Sequence, residues 1–473
     1  MKRDYKHVWF VASRELRDQM RDWRIIFPML ALTVFFPFLM IFTARLAVDF
    51  VNKYGAGLVG ERMVPFLLMV VGFFPVTVAL VVALEAFVGE KERGTIEPLL
   101  SSPLADWHLY LGKLIAGIVF PLVAAYLGIS VYLIGLWMTD IPIPEASMLA
   151  QTLILTSAQG VLMVSGAILI SAQSTTVRGA NLLASFVIIP IALLIQGESV
   201  LMFWGSNEVL WLAVVAVSII SILLIRLGLA HFRREGLIGR EIDNLNFRYM
   251  WVVFKKRFLG TPRNLGEWLS SVLGTLFQMR LAILLVVLMG IIAALAAYYY
   301  AVEKLPLLLE STNNGNSKEI MNLVSERLML DNAQISFQFI LLNNIKALFF
   351  MLIFGLLTLS VGGLIAYLLN IGLVGGVLGF AGQLGFSPLL TFAVGVLPHG
   401  IFELTAVVIA CAAILHIGVM LVTPDPNRTI SQILVESIAD WFRVMTAFGL
   451  PLLILAALIE STLTPQLIMT FLK

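Results

Sequence analysis

His399 and Glu403 stand four residues apart in one apolar run, Glu460 lies in another, and Asn343, Asn344 and Lys346 occupy a third. An i, i+4 pair shares a helix face, so an imidazole and a carboxylate placed there can exchange a proton or hold a polar ligand. Ionisable groups inside lipid are costly and are read first as functional. Three chemistries stay open. The plainest is a structural network in which Lys346 or His399 neutralises Glu403. A substrate, lipid or proton site comes second. Metal comes last, because one histidine and two carboxylates without motif spacing carry little signal. No metal ligand set and no catalytic residue is expected. His416 lies deeper and stands alone.

A second group is charged rather than deep. The stretch EAFVGEKERGTIEPLLSSP, residues 85–103, sets Glu90, Lys91, Glu92 and Arg93 beside Ile96, Leu99 and Leu100. Mixed charge around a small apolar centre suits a docking surface; a merely solvated loop is the alternative. Gly94 and Pro98 interrupt any helix through it. Ser102 before Pro103 reads as a helix cap and first turn, with Asp106 where a helix N-terminus favours negative charge. Trp107 and Tyr110 mark the membrane interface.

The elements that position these groups must be membrane helices. Of 473 residues, 60% are hydrophobic and 13% charged, half the charge of an ordinary soluble domain. Lipid is therefore the solvent. Continuous apolar runs of spanning length fall near 25–47, 64–87, 109–138, 148–172, 180–197, 209–230, 280–302, 342–369, 371–396, 399–422 and 443–468. They predict an all-α polytopic membrane protein with about eleven transmembrane helices, six plus five. Continuous rather than alternating runs exclude a membrane β-barrel. The first run is too long and too distal for a signal peptide, so an uncleaved plasma-membrane protein is expected.

Lysine and arginine set the orientation. With the N-terminus cytoplasmic, the inner segments collect Arg14, Arg17, Arg21 and Arg24, then Lys91 and Arg93, then the dense set from Arg226 to Arg280. The outer segments collect far fewer. Residues 5–24 read as an interfacial amphipathic helix, with Trp9, Ala12, Leu16, Met20 and Trp23 on one stripe. Three regions follow: a six-span domain at 1–230, a basic cytoplasmic linker at 231–279 and a five-span domain at 280–473. The linker's basic clusters suit anionic lipid headgroups. In the last domain Gly372, Gly375, Gly376 and Gly379 favour close helix packing. The lone cysteine, Cys411, excludes an internal disulfide, and a net charge of +2 gives no reason to expect nucleic acid.

The 85–103 stretch resembles the segment between the second and third spans of type-2 ABC permeases. The resemblance covers roughly 1–230 and carries the pattern E-[KR]-E-[RK]-G-T-x-E-x-L-L-x-[ST]-P. It implies that Glu90, Glu92, Arg93, Gly94, Thr95, Glu97 and Leu99 couple the spans to a separate ATPase. No phosphate-binding G-x-x-x-x-G-K-[ST] loop occurs; Gly112–Lys113 is followed by Leu114. The chain is thus expected to be no enzyme and to bind no cofactor, with ATP and magnesium on the partner. Permeases of this family also pair, implying a homodimer or a sister permease.

The second half resembles the stage II sporulation protein M family through LNNIKA (342–347), the glycine-rich run, PHGIFEL (398–404) and IESTLTP (459–465). The named member of that family works in a cell-envelope remodelling complex. The reading is the permease subunit of an ATP-driven exporter, carrying a fused envelope-associated module. The alternative is a non-transporting scaffold that relays ATPase motion to an extracytoplasmic envelope protein. That partner would be recruited through Ile320, Leu323, Val324 and Leu328 in segment 303–336.

Overall fold

The structure is a computed structural model. It describes the chain except residues 1, 55–56, 98–100, 174–179, most of 182–206, 233–246, 261–263, 312–335, 384–385, 424–427 and 472–473. The described residues contain helices and no strand, the outcome that lipid imposes on an open backbone. Ten helical runs among them are long and apolar enough to cross a membrane. The protein is an all-α, multi-pass membrane protein. Ten of the eleven expected spans have counterparts; the fifth, 180–197, falls largely outside the described residues. The stripe from Ile320 to Leu328 also lies outside them.

Two compact units divide the chain, the first over residues 1–245 with 422–425, the second over 246–421 with 426–473. The first unit contains α1 (Lys2–Gln19), α2 (Trp23–Tyr54), α3 (Gly57–Glu92), α4 (Asp106–Met138), α5 (Ala146–Gln173) and α6 (Asn207–His231). α3 is central and packs on α2, α4 and α5. Ala44, Val64, Leu68, Val71, Ile129 and Tyr132 form a core between α2, α3 and α4. The Tyr132 hydroxyl donates to the Val64 carbonyl at 3.2 Å, since a buried O–H left unmade is expensive.

The interfacial helix is shorter than its sequence predicts. Asp22 ends it: the carboxylate accepts from the Arg24 amide at 2.9 Å, and its carbonyl accepts from Ile25 and Ile26, so a new helix starts at Trp23. The expected apolar stripe is also divided. Val8, Val11 and Ala12 are buried against protein, whereas Trp9, Phe10, Met20 and Trp23 are exposed. α1 packs on α4, where a Cβ at Gly112 would sit 2.6 Å from the Val11 Cβ.

The second unit contains α7 (Phe247–Leu259), α8 (Leu265–Gln278), α9 (Arg280–Ser311), α10 (Phe337–Leu357), α11 (Val361–Gln383), α12 (Pro388–Thr391), α13 (Leu397–Val422), α14 (Ile430–Val444) and α15 (Leu450–Phe471). Much of the segment expected as a linker is therefore helical, and α7 and α8 pack on α14. Arg257 donates two hydrogen bonds to Asp440, at 2.9 and 2.8 Å. Hydrogen bonding to Asp440 raises the guanidinium above its usual value, the effect of a fork-to-carboxylate contact.

Span boundaries in this unit differ from the hydropathy expectation. The 342–369 run is cut at Thr358–Ser360, where Leu359 and Ser360 take positive φ of 50° and 80°. Pro398 does not start a helix. It follows a π-helical turn, Phe392–Val396, that runs on into α13. The same arrangement recurs before α15: a π turn at Met445–Gly449, then Leu450, then Pro451. A proline ring in a regular helix collides with the carbonyl four residues back. A widened turn just ahead of each proline relieves that collision and lets the helix pass through.

α9 and α11 form the tightest pair of this unit. The Tyr367 hydroxyl donates to the Val286 carbonyl at 3.1 Å. A Cβ at Gly375 would overlap the Ala294 carbonyl, and one at Gly379 would lie 2.7 Å from the Tyr298 carbonyl. Gly376 faces open space. Gly375→Val is expected to cost ~3 kcal/mol or more, because the obstructing atom is backbone and cannot swing aside. Gly376→Ala should leave stability unchanged or raise it by up to about 1 kcal/mol through helix propensity. Thermal unfolding of the purified protein in detergent distinguishes the two.

Candidate functional site

The charged stretch folds in an order its composition does not show. α3 runs to Glu92 and closes with two bonds across Gly94: the Gly94 amide donates to the Lys91 carbonyl at 3.1 Å and the Thr95 amide to the Glu90 carbonyl at 2.9 Å. Gly94 has φ of +67°. This is a helix stop in which the left-handed residue is glycine because a Cβ would strain it. The chain re-enters helix at Asp106, with the Ala105 amide donating to His108 Nδ1 at 3.0 Å. The cap expected at Ser102 therefore sits three residues further on, with a histidine ring rather than a hydroxyl as acceptor.

Of the seven residues implied as coupling groups, Glu92, Arg93, Gly94, Thr95 and Glu97 are exposed on this connection. Leu99 lies outside the described residues. Glu90 is turned inward. Its carboxylate accepts from Lys113 at 3.0 Å, and that ammonium also donates to Glu15 at 2.8 Å and to the Ala86 carbonyl at 2.7 Å. The Lys113 side chain is 1% exposed, and three acceptors saturate its three donors. It lies 5.0 Å from the Phe87 ring centre, adding a cation–π contact. One cation thus ties α1, α3 and α4 together beside the connection. α5 is fastened to the same end: the Ser171 hydroxyl accepts from the Phe87 and Val88 amides, and Lys91 donates to the Ala172 carbonyl at 2.9 Å.

Glu15 and Lys113 escaped sequence reasoning. The available signal was one lysine seven residues into an apolar helix, a position that requires a buried acceptor. Glu198 was missed too. It is buried and accepts from Gln159 on α5, a helix that also buries Gln151, Thr152 and Thr156.

In the second unit the structure gathers three of the six intramembrane candidates. One ligand atom each of His399, Glu403 and Glu460 lies within 4.8 Å of the others. His399 Nδ1 is 3.1 Å from the Thr464 hydroxyl, one turn beyond Glu460 on α15. Asn343 and Lys346 are exposed on α10, so the expected neutralisation of Glu403 by Lys346 is not formed. Asn344 is half-buried, its amide nitrogen without a partner.

Residues 9–234 match the family described as ABC-2 family transporter protein, and residues 282–465 match Stage II sporulation protein M. The chain is 30% identical over 152 residues to an uncharacterized protein of Methanocaldococcus jannaschii, covering 32% of this chain and 80% of that protein. It is 34% identical over 111 residues to "Probable ABC transporter permease protein NosY" of Pseudomonas aeruginosa, 22% of this chain and 37% of that one. It is 32% identical over 108 residues to "Probable multidrug ABC transporter permease YbhR" of Escherichia coli, 23% and 28% of the two. The matches to these two permeases thus span well under half of their lengths.

Lys113→Met removes the shared cation and leaves two carboxylates facing one another. A loss of about 3 kcal/mol is expected, read as a lower unfolding midpoint and faster proteolysis within α1. Combining it with Glu15→Gln and Glu90→Gln removes the stranded charge and should recover most of the loss.

Proposed function

We infer that this chain, which belongs to the ABC-2 transporter family over residues 9–234 and to the stage II sporulation protein M family over 282–465, is the permease subunit of an ATP-driven exporter. ATP is hydrolysed by a separate subunit that docks on the segment 88–108, with the N-terminus on the same, cytoplasmic side. The observation that carries this reading is the Lys113 network. A docking surface moves the spans only if it is stiffly joined to them. Here the exposed residues Arg93, Gly94, Thr95 and Glu97 follow directly on a helix end held to three neighbours by hydrogen bonds and charge. Closure of an ATPase against that surface would tilt α1, α3 and α4 as one body.

The chain supplies no catalytic group of its own in this scheme, and ATP with magnesium belongs to the partner. A second permease, identical or related, completes the path. The second unit acts as an envelope-associated module, a role supported by its match to stage II sporulation protein M.

Native purification in mild detergent tests the reading. A Walker-motif ATPase should co-purify in stoichiometric amount with the wild type. Glu92→Arg with Gly94→Val should lower that amount at least about tenfold. The first reverses an exposed charge, and the second strains the positive-φ position by about 1–3 kcal/mol without a steric neighbour. An ATPase retained in full by the variant, or none with the wild type, would sink the coupling role.

A further inference from the structure

We propose that His399, Glu403 and Glu460 form a binding site for a first-row divalent metal ion, zinc or manganese, inside the second unit. The transporter reading neither requires it nor falls with it. The observation that carries it is convergence: ligand atoms from two separate helices lie within 4.8 Å of one another. Three atoms around one ion about 2.1 Å away sit some 3–4 Å apart, so ordinary side-chain rotation closes the difference.

The surroundings fit a ligand set better than an ion-pair network. Among the described residues no lysine or arginine pairs with Glu403 or Glu460, and each lies in an apolar membrane-spanning run. Two carboxylates this close, in lipid and without a cation, need a shared proton or a metal. The histidine argues for metal. The Thr464 hydroxyl lies 3.4 Å from the Ile459 carbonyl and 3.1 Å from His399 Nδ1; donating to the carbonyl, it accepts from an Nδ1 proton. That leaves the Nε2 lone pair free, the tautomer a metal ligand needs, with Thr464 as its orienting partner.

The backbone supports the geometry as well. α13 and α15, the helices that supply the ligands, are each preceded by a π turn followed by Leu-Pro. An extra residue in a turn rotates everything beyond it by about 100° relative to an unbroken helix. His399 and Glu403 therefore point where they do because the π turn re-phases α13. One imidazole and two carboxylates suit zinc, manganese or iron(II) rather than calcium. Three protein ligands leave a coordination position open for water or a ligand oxygen, as in non-structural sites.

The full-length protein in detergent, stripped with a chelator, should be loaded with zinc or manganese alone and its metal content and thermal unfolding followed. Roughly one equivalent per chain and a raised midpoint are expected. His399→Ala and Glu460→Gln should lose both. Thr464→Val should fold normally and bind about 10–100-fold more weakly, and Cys411→Ala, on the helix that carries His399 and Glu403, should bind as wild type. The proposal is overturned by a protein that takes up neither metal, or by uptake that persists in the His399 and Glu460 variants. It is equally overturned if Glu403→Gln raises the midpoint while wild type ignores both metals, the mark of a proton-sharing carboxyl pair.

Discussion

An ammonium group shut away from water has to find three acceptors inside the protein, and the first unit is organised around that requirement. Lys113 meets it with one carboxylate from α1, one from α3 and one backbone carbonyl of α3. Because the donors are on α4 and the acceptors on two other helices, the bonds hold three elements in one register. Removing Lys113 is costly because it strands two carboxylates. That asymmetry makes the end of the bundle stiff, and stiffness gives an exposed connection mechanical value.

The second unit solves a different problem with the same economy of groups. Its close contacts are backbone on backbone, with Gly375 and Gly379 on α11 admitting Ala294 and Tyr298 of α9. In lipid there is no hydrophobic gain from bringing two apolar helices together, so dispersion at short range and interhelical hydrogen bonds such as Tyr367 to Val286 must hold them. The helical runs through Pro398 and Pro451 stay continuous because a π turn ahead of each makes room for the ring. The polar residues then emerge on faces that a regular helix would have pointed elsewhere.

The two units thus differ in the ionisable sets they hold. The first holds a set matched by a cation, one ammonium bonded to two carboxylates, at the end of its helices. Beside its Arg257–Asp440 pair, the second holds an unmatched set inside its spans, an imidazole and two carboxylates with no cation paired to them among the described residues. A matched set is what a structural coupling needs. An unmatched one calls for something added from outside.

The all-α membrane character, ten of the spans, the stop at Gly94 and the family likeness of both halves were legible in the sequence. These depend on composition over a span, on local backbone sterics at glycine or on short motifs, which a linear reading captures. The end of α1 at Gln19, the cap at Ala105, the cut at Thr358–Ser360 and the passage of helix through Pro398 were not. Each depends on which neighbour supplies an acceptor or a little space. The pairing of Lys113 with Glu15, 98 residues away, and the gathering of His399 with Glu460 are decided the same way. Which buried charge meets which partner follows from helix rotation and packing, and only tertiary structure sets those.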